Sequence, residues 1–200
     1  MLKLSNVSVS YDKKKVIENF NYEFTPGIYA IMGESGRGKS TLLRAIAGLL
    51  KYDGDISLED TKVNKPSGDI FMMHQHHSNF YWMTCIQNIL LPAKLKGKIT
   101  ESTKNFAQEI LNAIGLNGYE DKYPNELSGG QQQRLALGRL LITSPKVVLM
   151  DEPMSALDPE TKKNIIALLK AYQKQNNCIL IFVTHNLDEA NMLTKNIIKF

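Results

Sequence analysis

Apolar residues recur along this chain with two different periods, and the period changes with position. Leu2, Leu4, Val7 and Val9 alternate with polar residues, which predicts a strand over 2–10 with a bulge where the phase breaks between Leu4 and Val7. Tyr11-Asp12-Lys13-Lys14 reads as a turn, and a return strand is predicted from Val16 to Phe24, closed by Thr25-Pro26-Gly27. Ile28 to Met32 is a short, wholly apolar run that reads as a buried strand leading into a glycine-rich loop. Leu42, Leu43, Ile46, Leu49 and Leu50 follow at helical spacing, so a helix is predicted over 39–50. Short strands are predicted at 55–58 and 70–73. From about His76 to Leu141 the period becomes helical throughout, as Ile86, Ile89, Leu90, Phe106, Ile110, Leu111 and Ile114 show. The α/β alternation then resumes: strand 147–150, helix 159–174, strand 179–183, helix 187–193 and strand 197–198.

Composition narrows the possibilities. The chain has 200 residues, 43% hydrophobic and 22% charged, enough for a globular core and unlike a disordered chain. That length suits one domain, or one domain carrying a subdomain. The net charge of +4 is mildly basic, and the single run of three basic residues, Lys13-Lys14-Lys15, sits in a predicted turn. Such a run reads as a solvated hairpin, and no nucleic-acid partner is expected. Cys85 and Cys178 are too few and too far apart for a disulfide framework or a zinc pattern, which suits a reducing compartment. No apolar stretch follows Met1 as in a signal peptide, and no run approaches the ~18 residues of a membrane span. A role at a membrane would therefore pass through a partner. His74, His76 and His77 crowd Gln75, but no cysteine or acidic ligand adjoins them and no metal site is expected there.

Three segments carry chemistry. Gly33-Glu34-Ser35-Gly36-Arg37-Gly38-Lys39-Ser40 stands between a predicted strand and a predicted helix, the context that distinguishes a phosphate-binding loop from an ordinary glycine turn. Gly33, Gly36 and Gly38 let successive backbone N–H groups of the loop, that of Ser35 among them, face one anion, and the helix adds its positive end. Lys39 is expected to bridge the β- and γ-phosphates, Ser40 to hold Mg²⁺, and Thr41 to touch the α-phosphate. Asp151-Glu152-Pro153 ends an apolar run, so two carboxylates are delivered at the carboxyl end of a buried strand. Asp151 is expected to support Mg²⁺ and Glu152 to polarise the attacking water. Leu127-Ser128-Gly129-Gly130-Gln131 precedes a helix starting near Gly130, where the Ser128 hydroxyl and the Gly130 N–H can meet an anion.

The phosphate loop followed by LSGGQ makes the chain closely resemble the ATP-binding-cassette ATPases over nearly all of its length. The resemblance implies an α/β fold, a P-loop NTPase (RecA-like) core with an antiparallel β subdomain and an inserted helical subdomain. Residues 1–75 and 142–200 would form the core and 76–141 the helical signature subdomain. It further implies ATP and Mg²⁺ as cofactors. Ser128, Gly129, Gly130 and Gln131 would then face the γ-phosphate bound to a second cassette, a copy or a paralogous subunit, in a head-to-tail dimer. Tyr11, by itself a strand-end surface tyrosine, matches the aromatic that stacks on adenine. Gln75 matches the glutamine that contacts Mg²⁺ and water and senses the membrane partner. His185 matches the histidine that reaches the γ-phosphate, and Ser155-Ala156-Leu157-Asp158 the loop that crosses the dimer.

Within the family, the leading expectation is the ATPase subunit of a transporter, at the cytoplasmic face of the membrane, with a separate permease and a substrate-binding protein. A soluble iron–sulfur-assembly cassette and a stand-alone export ATPase stay open. A phosphate-loop kinase would need an acceptor site and no LSGGQ. Import is the expected direction, because no membrane helices are fused to the cassette and Thr184-His185-Asn186-Leu187-Asp188-Glu189-Ala190 looks like an importer pattern. Residues 79–92, with Phe80-Tyr81-Trp82-Met83, resemble importers of nitrate, sulfonate or taurine type. The chain departs from the family at Arg37, where a small residue is usual and whose side chain is expected to face solvent, and in ending soon after the strand that follows His185.

Overall fold

The computed structural model describes every residue except Asp12, Lys13, Ser35 and residues 75–78, and it divides into two compact units. The first comprises Met1–Met72, Pro145–Glu152 and Gln173–Phe200. Its N-terminal half is an antiparallel sheet of β1 (Leu2–Tyr11), β2 (Lys14–Phe24), β4 (Asp53–Leu58) and β5 (Thr61–Lys62), in the order β2-β1-β4-β5. The β1–β2 register shifts between Leu4 and Val7, where the alternation breaks. The two-residue β5 has no alternation to announce it; it exists because Leu58 and Ser57 offer it a ladder.

The second sheet has the order β6-β7-β8-β3-β9, with β3 (Gly27–Met32), β6 (Ile70–Met73), β7 (Val147–Asp151), β8 (Ile179–Val183) and β9 (Ile197–Lys199). The ladders β7–β8, β8–β3 and β3–β9 are parallel. Every residue of β7 and β8 is buried, which explains why they read as unbroken apolar runs.

Helix α1 (Lys39–Ile46) packs on this core through Leu42, Leu43, Ala45 and Ile46, in one cluster with Leu4, Ile31, Leu149 and Ile181. Each such leucine or isoleucine contributes about 1.5–3 kcal/mol by leaving water. The helix stops four residues short of the predicted Leu50. Leu49 N–H bonds to Arg44 O (2.9 Å) and Gly48 N–H to Ala45 O (3.0 Å), a Schellman closure around Gly48 at φ +70°. Leu49 kept the helical period but is exposed.

The second unit, Met73–Ser144 with Pro153–Tyr172, is helical. It holds α2 (Cys85–Leu95), α3 (Glu101–Ala113), a single 3-10 turn at Pro124–Glu126, α4 (Gly129–Leu141) and most of α5 (Pro159–Asn176). Thr84 and Thr100 cap α2 and α3 with reciprocal capping boxes. Gly138 of α4 lets Ile89, Ile110 and Ile114 close onto the helix. The buried Asn88 pins the preceding segment, donating to Phe80 O, Met83 O and Thr84 O and accepting from Phe80 N–H. Burial pushes the thiols of Cys85 and Cys178 up to about 11, which leaves both inert at neutral pH. Among the described residues no helix is long and apolar enough to cross a membrane.

Candidate active site

In the first unit the parallel ladders set Ile31, Val183 and Asp151 side by side on neighbouring strands. The three chains therefore leave the sheet at the same edge, its carboxyl edge, where α/β sheets gather chemistry. β3 runs out into the glycine loop, β7 into Glu152, and β8 into Thr184 and His185.

The loop returns to α1 through Gly38, the helix N-cap, at φ +96°; a Cβ there would lie 2.7 Å from Val16 Cγ1. Only glycine meets both the backbone angle and this approach to β2. The N-cap glycine has no side chain to cap α1, and a helix start of this kind can receive an anion on its first N–H groups. Lys39 is buried, and its ammonium donates to the carbonyls of Gly33 (2.8 Å) and Glu34 (2.6 Å), so the loop curls around its own cation. Ser40 and Thr41 are half-buried on the first turn of α1, and Gly36 is exposed at the loop tip at φ +79°. Arg37 faces solvent as expected, with Nε and Nη2 both donating to Glu34 Oε2 at 3.0 and 2.7 Å. Ser35 lies outside the described residues.

Asp151 is buried as the last residue of β7. Glu152 follows at φ +49°, a left-handed conformation costing on the order of 1–3 kcal/mol for a non-glycine residue, while its N–H bonds to Val183 O at 3.0 Å. Its Oε1 lies 3.1 Å from Nδ1 of His185, whose side chain is 70% exposed against 23% for Glu152. Carboxylate and imidazole thus meet at the sheet edge, open to solvent on one side. Tyr11 ends β1 and is exposed.

In the second unit, Ser128 is the N-cap of α4. Gln131 N–H bonds to its Oγ (3.3 Å), and Ser128 N–H bonds to Gln131 Oε1 (2.8 Å). This reciprocal box is written in the sequence as a serine followed three residues later by a glutamine, a sign that sequence reasoning passed over. It occupies the side chain of Gln131 and leaves the N–H groups of Gly129 and Gly130 without an intrahelical acceptor. A Cβ on Gly130 would lie 2.8 Å from Ala156 O, so the helix start rests on the Ser155–Asp158 loop. Gln133, fully buried, completes that seam: its Oε1 accepts from Ala156 N–H (3.0 Å) and its Nε2 donates to Ser155 Oγ (3.4 Å). Sequence reasoning passed over Gln133; the available signal was an amide in phase with buried Leu137 and Leu140. Asp158 caps the next helix, accepting from Glu160 and Thr161 N–H, and the Thr161 hydroxyl first, then these backbone bonds, hold its carboxyl below the usual range. Gln75, like His76 and His77, lies outside the described residues.

Trp82, Met83, Gln87, Leu90, Leu91 and Ile99 line an open apolar cavity of about 700 Å³ in the same unit. Trp82 is 72% exposed, touching Phe80 edge-on at 5.5 Å between ring centroids, while Phe80 and Met83 are half-buried. Behind it the Arg139 guanidinium lies over the Phe80 ring, and burial lowers its pKa to about 10.

The family model for ABC transporters matches residues 17–155. The chain is 37% identical over 201 residues to an aliphatic sulfonates import ATP-binding protein of Bacillus cereus, covering 98% of this chain and 79% of that protein. It is 39% identical over 183 residues to a nitrate import ATP-binding protein of Synechocystis, covering 90% and 69%. A bacterial ABC transporter cassette solved as a dimer superposes with a TM-score of 0.87 at 31% identity, over 96% of this chain and 91% of that one. With phosphate loop, paired carboxylates and histidine at one sheet edge and the signature at a helix start, the chain belongs to the ABC transporter family, as an ATP-binding cassette ATPase.

Proposed function

We infer that this cassette is the ATPase subunit of an importer, hydrolysing ATP between two cassettes to drive a separate membrane permease. The observation that carries the chemistry is the meeting of the phosphate loop, Asp151, Glu152 and His185 at the ends of three neighbouring strands. Lys39 and the N–H groups from Gly33, Ser35, Gly36 and Gly38 through Ser40 and Thr41 hold the phosphates, with Tyr11 against the adenine. The hydroxyl of Ser40, the carboxylate of Asp151 and the amide of Gln75 are oxygen donors of the kind Mg²⁺ takes. Bound there, Mg²⁺ supplies neutralisation of charge on the β- and γ-phosphate oxygens. Glu152 orients the attacking water and His185 reaches the γ-phosphate.

Ser128, Gly129, Gly130 and Gln131 serve the ATP of the opposite cassette, a second copy or a paralogue in head-to-tail arrangement; the solved dimeric cassette supports this. Import rests on the sulfonate and nitrate import relatives; a substrate-binding protein would deliver the cargo in such a system. The apolar cavity beside Trp82 suits a short helix of the permease, which would hold the cassette at the cytoplasmic face of the membrane.

Glu152→Gln tests the core of this reading. It is expected to keep ATP binding, slow turnover by about 10²–10⁴, and accumulate an ATP-bound dimer on size-exclusion chromatography. Parental turnover in this variant would remove Glu152 from the chemistry.

A further inference from the structure

His185 is mostly exposed, and the side-chain contact that ties it into the site is with Glu152, so its place depends on the backbone beneath it. That backbone is fixed on both sides. Thr184, 2% exposed, donates its hydroxyl to Glu189 Oε2 at 2.8 Å and accepts the Asn186 N–H at 3.1 Å. Its own N–H bonds to Ile31 O on β3 at 3.3 Å. Asn186 in turn caps α6 (Leu187–Leu193), its Oδ1 accepting from Asp188 N–H (2.9 Å) and Glu189 N–H (3.1 Å). Glu189 is 7% exposed. A carboxylate is expensive to bury, and an apolar residue would fill the same space without that cost. What the carboxylate adds is direction: it fixes the Thr184 hydroxyl, and through Thr184 and Asn186 it fixes the one-residue step that presents the imidazole.

We propose that Glu189, acting through Thr184, is a positioning residue for ATP hydrolysis that sets the imidazole of His185 against Glu152. This rests on the assignment of Glu152 and His185 to the reaction. Misplacement by about 1 Å can cost about 10²-fold in rate, so a hydrogen bond two steps from the reacting atoms can matter to turnover while leaving nucleotide binding alone.

The test compares steady-state ATPase activity, ATP affinity and melting temperature of the full chain carrying Thr184→Val, Thr184→Ser, Glu189→Ala, His185→Ala and the double variant Thr184→Val/His185→Ala. Thr184→Val, close in shape and free of the hydroxyl, is expected to lower kcat by about 10–100-fold with KM for ATP unchanged. Thr184→Ser, which keeps the hydroxyl, restores most of the activity, and Glu189→Ala behaves as Thr184→Val. In the double variant the losses do not multiply: it is no slower than His185→Ala, because the two residues act as one unit. Multiplying losses, or a Thr184→Val variant at parental kcat beside a slow His185→Ala, overturn the inference. Parental activity of His185→Ala instead overturns the underlying assignment, and the inference with it. Glu189→Ala can fail to fold; the Thr184 pair then decides alone.

Discussion

Lys39 shows at the scale of one residue how the loop and its cation are built together. Its ammonium donates to the loop carbonyls of Gly33 and Glu34, which makes it the buried cation that the loop encloses. Charge-assisted hydrogen bonds contribute about 1.5–3 kcal/mol. Lys39→Ala is therefore expected to weaken ATP binding by about 10–100-fold, measured by equilibrium titration with a fluorescent nucleotide; unchanged affinity would contradict the phosphate-loop assignment. Glu152 is the complementary case. Its left-handed backbone was invisible in the sequence, and it is what turns the carboxylate from the strand toward His185.

At the scale of the element, α4 combines two roles in its first turn. Ser128 closes a capping box with Gln131, and Gly130 lies against Ala156 O. Ser128→Arg removes the cap, at about 1 kcal/mol, and places a long cation where the opposite cassette's phosphate is expected. We expect it to abolish hydrolysis while the variant still binds nucleotide with parental affinity. Ser128→Ala, which loses the hydroxyl with its cap and its proposed phosphate contact but adds no cation, should keep more activity than Ser128→Arg. Parental hydrolysis in Ser128→Arg would remove Ser128 from the opposite cassette's site.

At the scale of the molecule, the docking proposed for the apolar cavity of the second unit turns on one residue, Trp82. Phe80, Tyr81, Trp82 and Met83 are consecutive apolar residues, and sequence left open whether they pack inward. Asn88 divides them: it ties down Phe80 and Met83 while Trp82 stands out into solvent. Trp82→Ala is expected to cost under about 1 kcal/mol, a melting shift of under about 4 °C, with basal ATPase activity intact. Its association with the co-purified permease should fall. A large melting shift with undiminished association would place Trp82 in the core.

Sequence by itself determined the strands and helices wherever burial is one-sided or complete, because the periods of 2 and 3.6 record which face leaves water; β8 and α6 fall on their predicted residues. It also determined the phosphate loop, the Asp151-Glu152 pair and the signature, since each is a local run whose spacing is the chemistry. Tertiary structure alone decided which distant runs become neighbours. Ile31, Val183 and Asp151 share a line across the sheet only because β8 inserts between β3 and β7. Helix α1 ends at Gly48 by backbone hydrogen bonds that no apolar period encodes. Gln133 escaped notice, and Glu189 was read only as part of a pattern and not as a partner of Thr184, for a common reason: a buried polar side chain is defined by a partner far off in the chain or across a turn, and its sequence carries no sign of that partner until the fold supplies it.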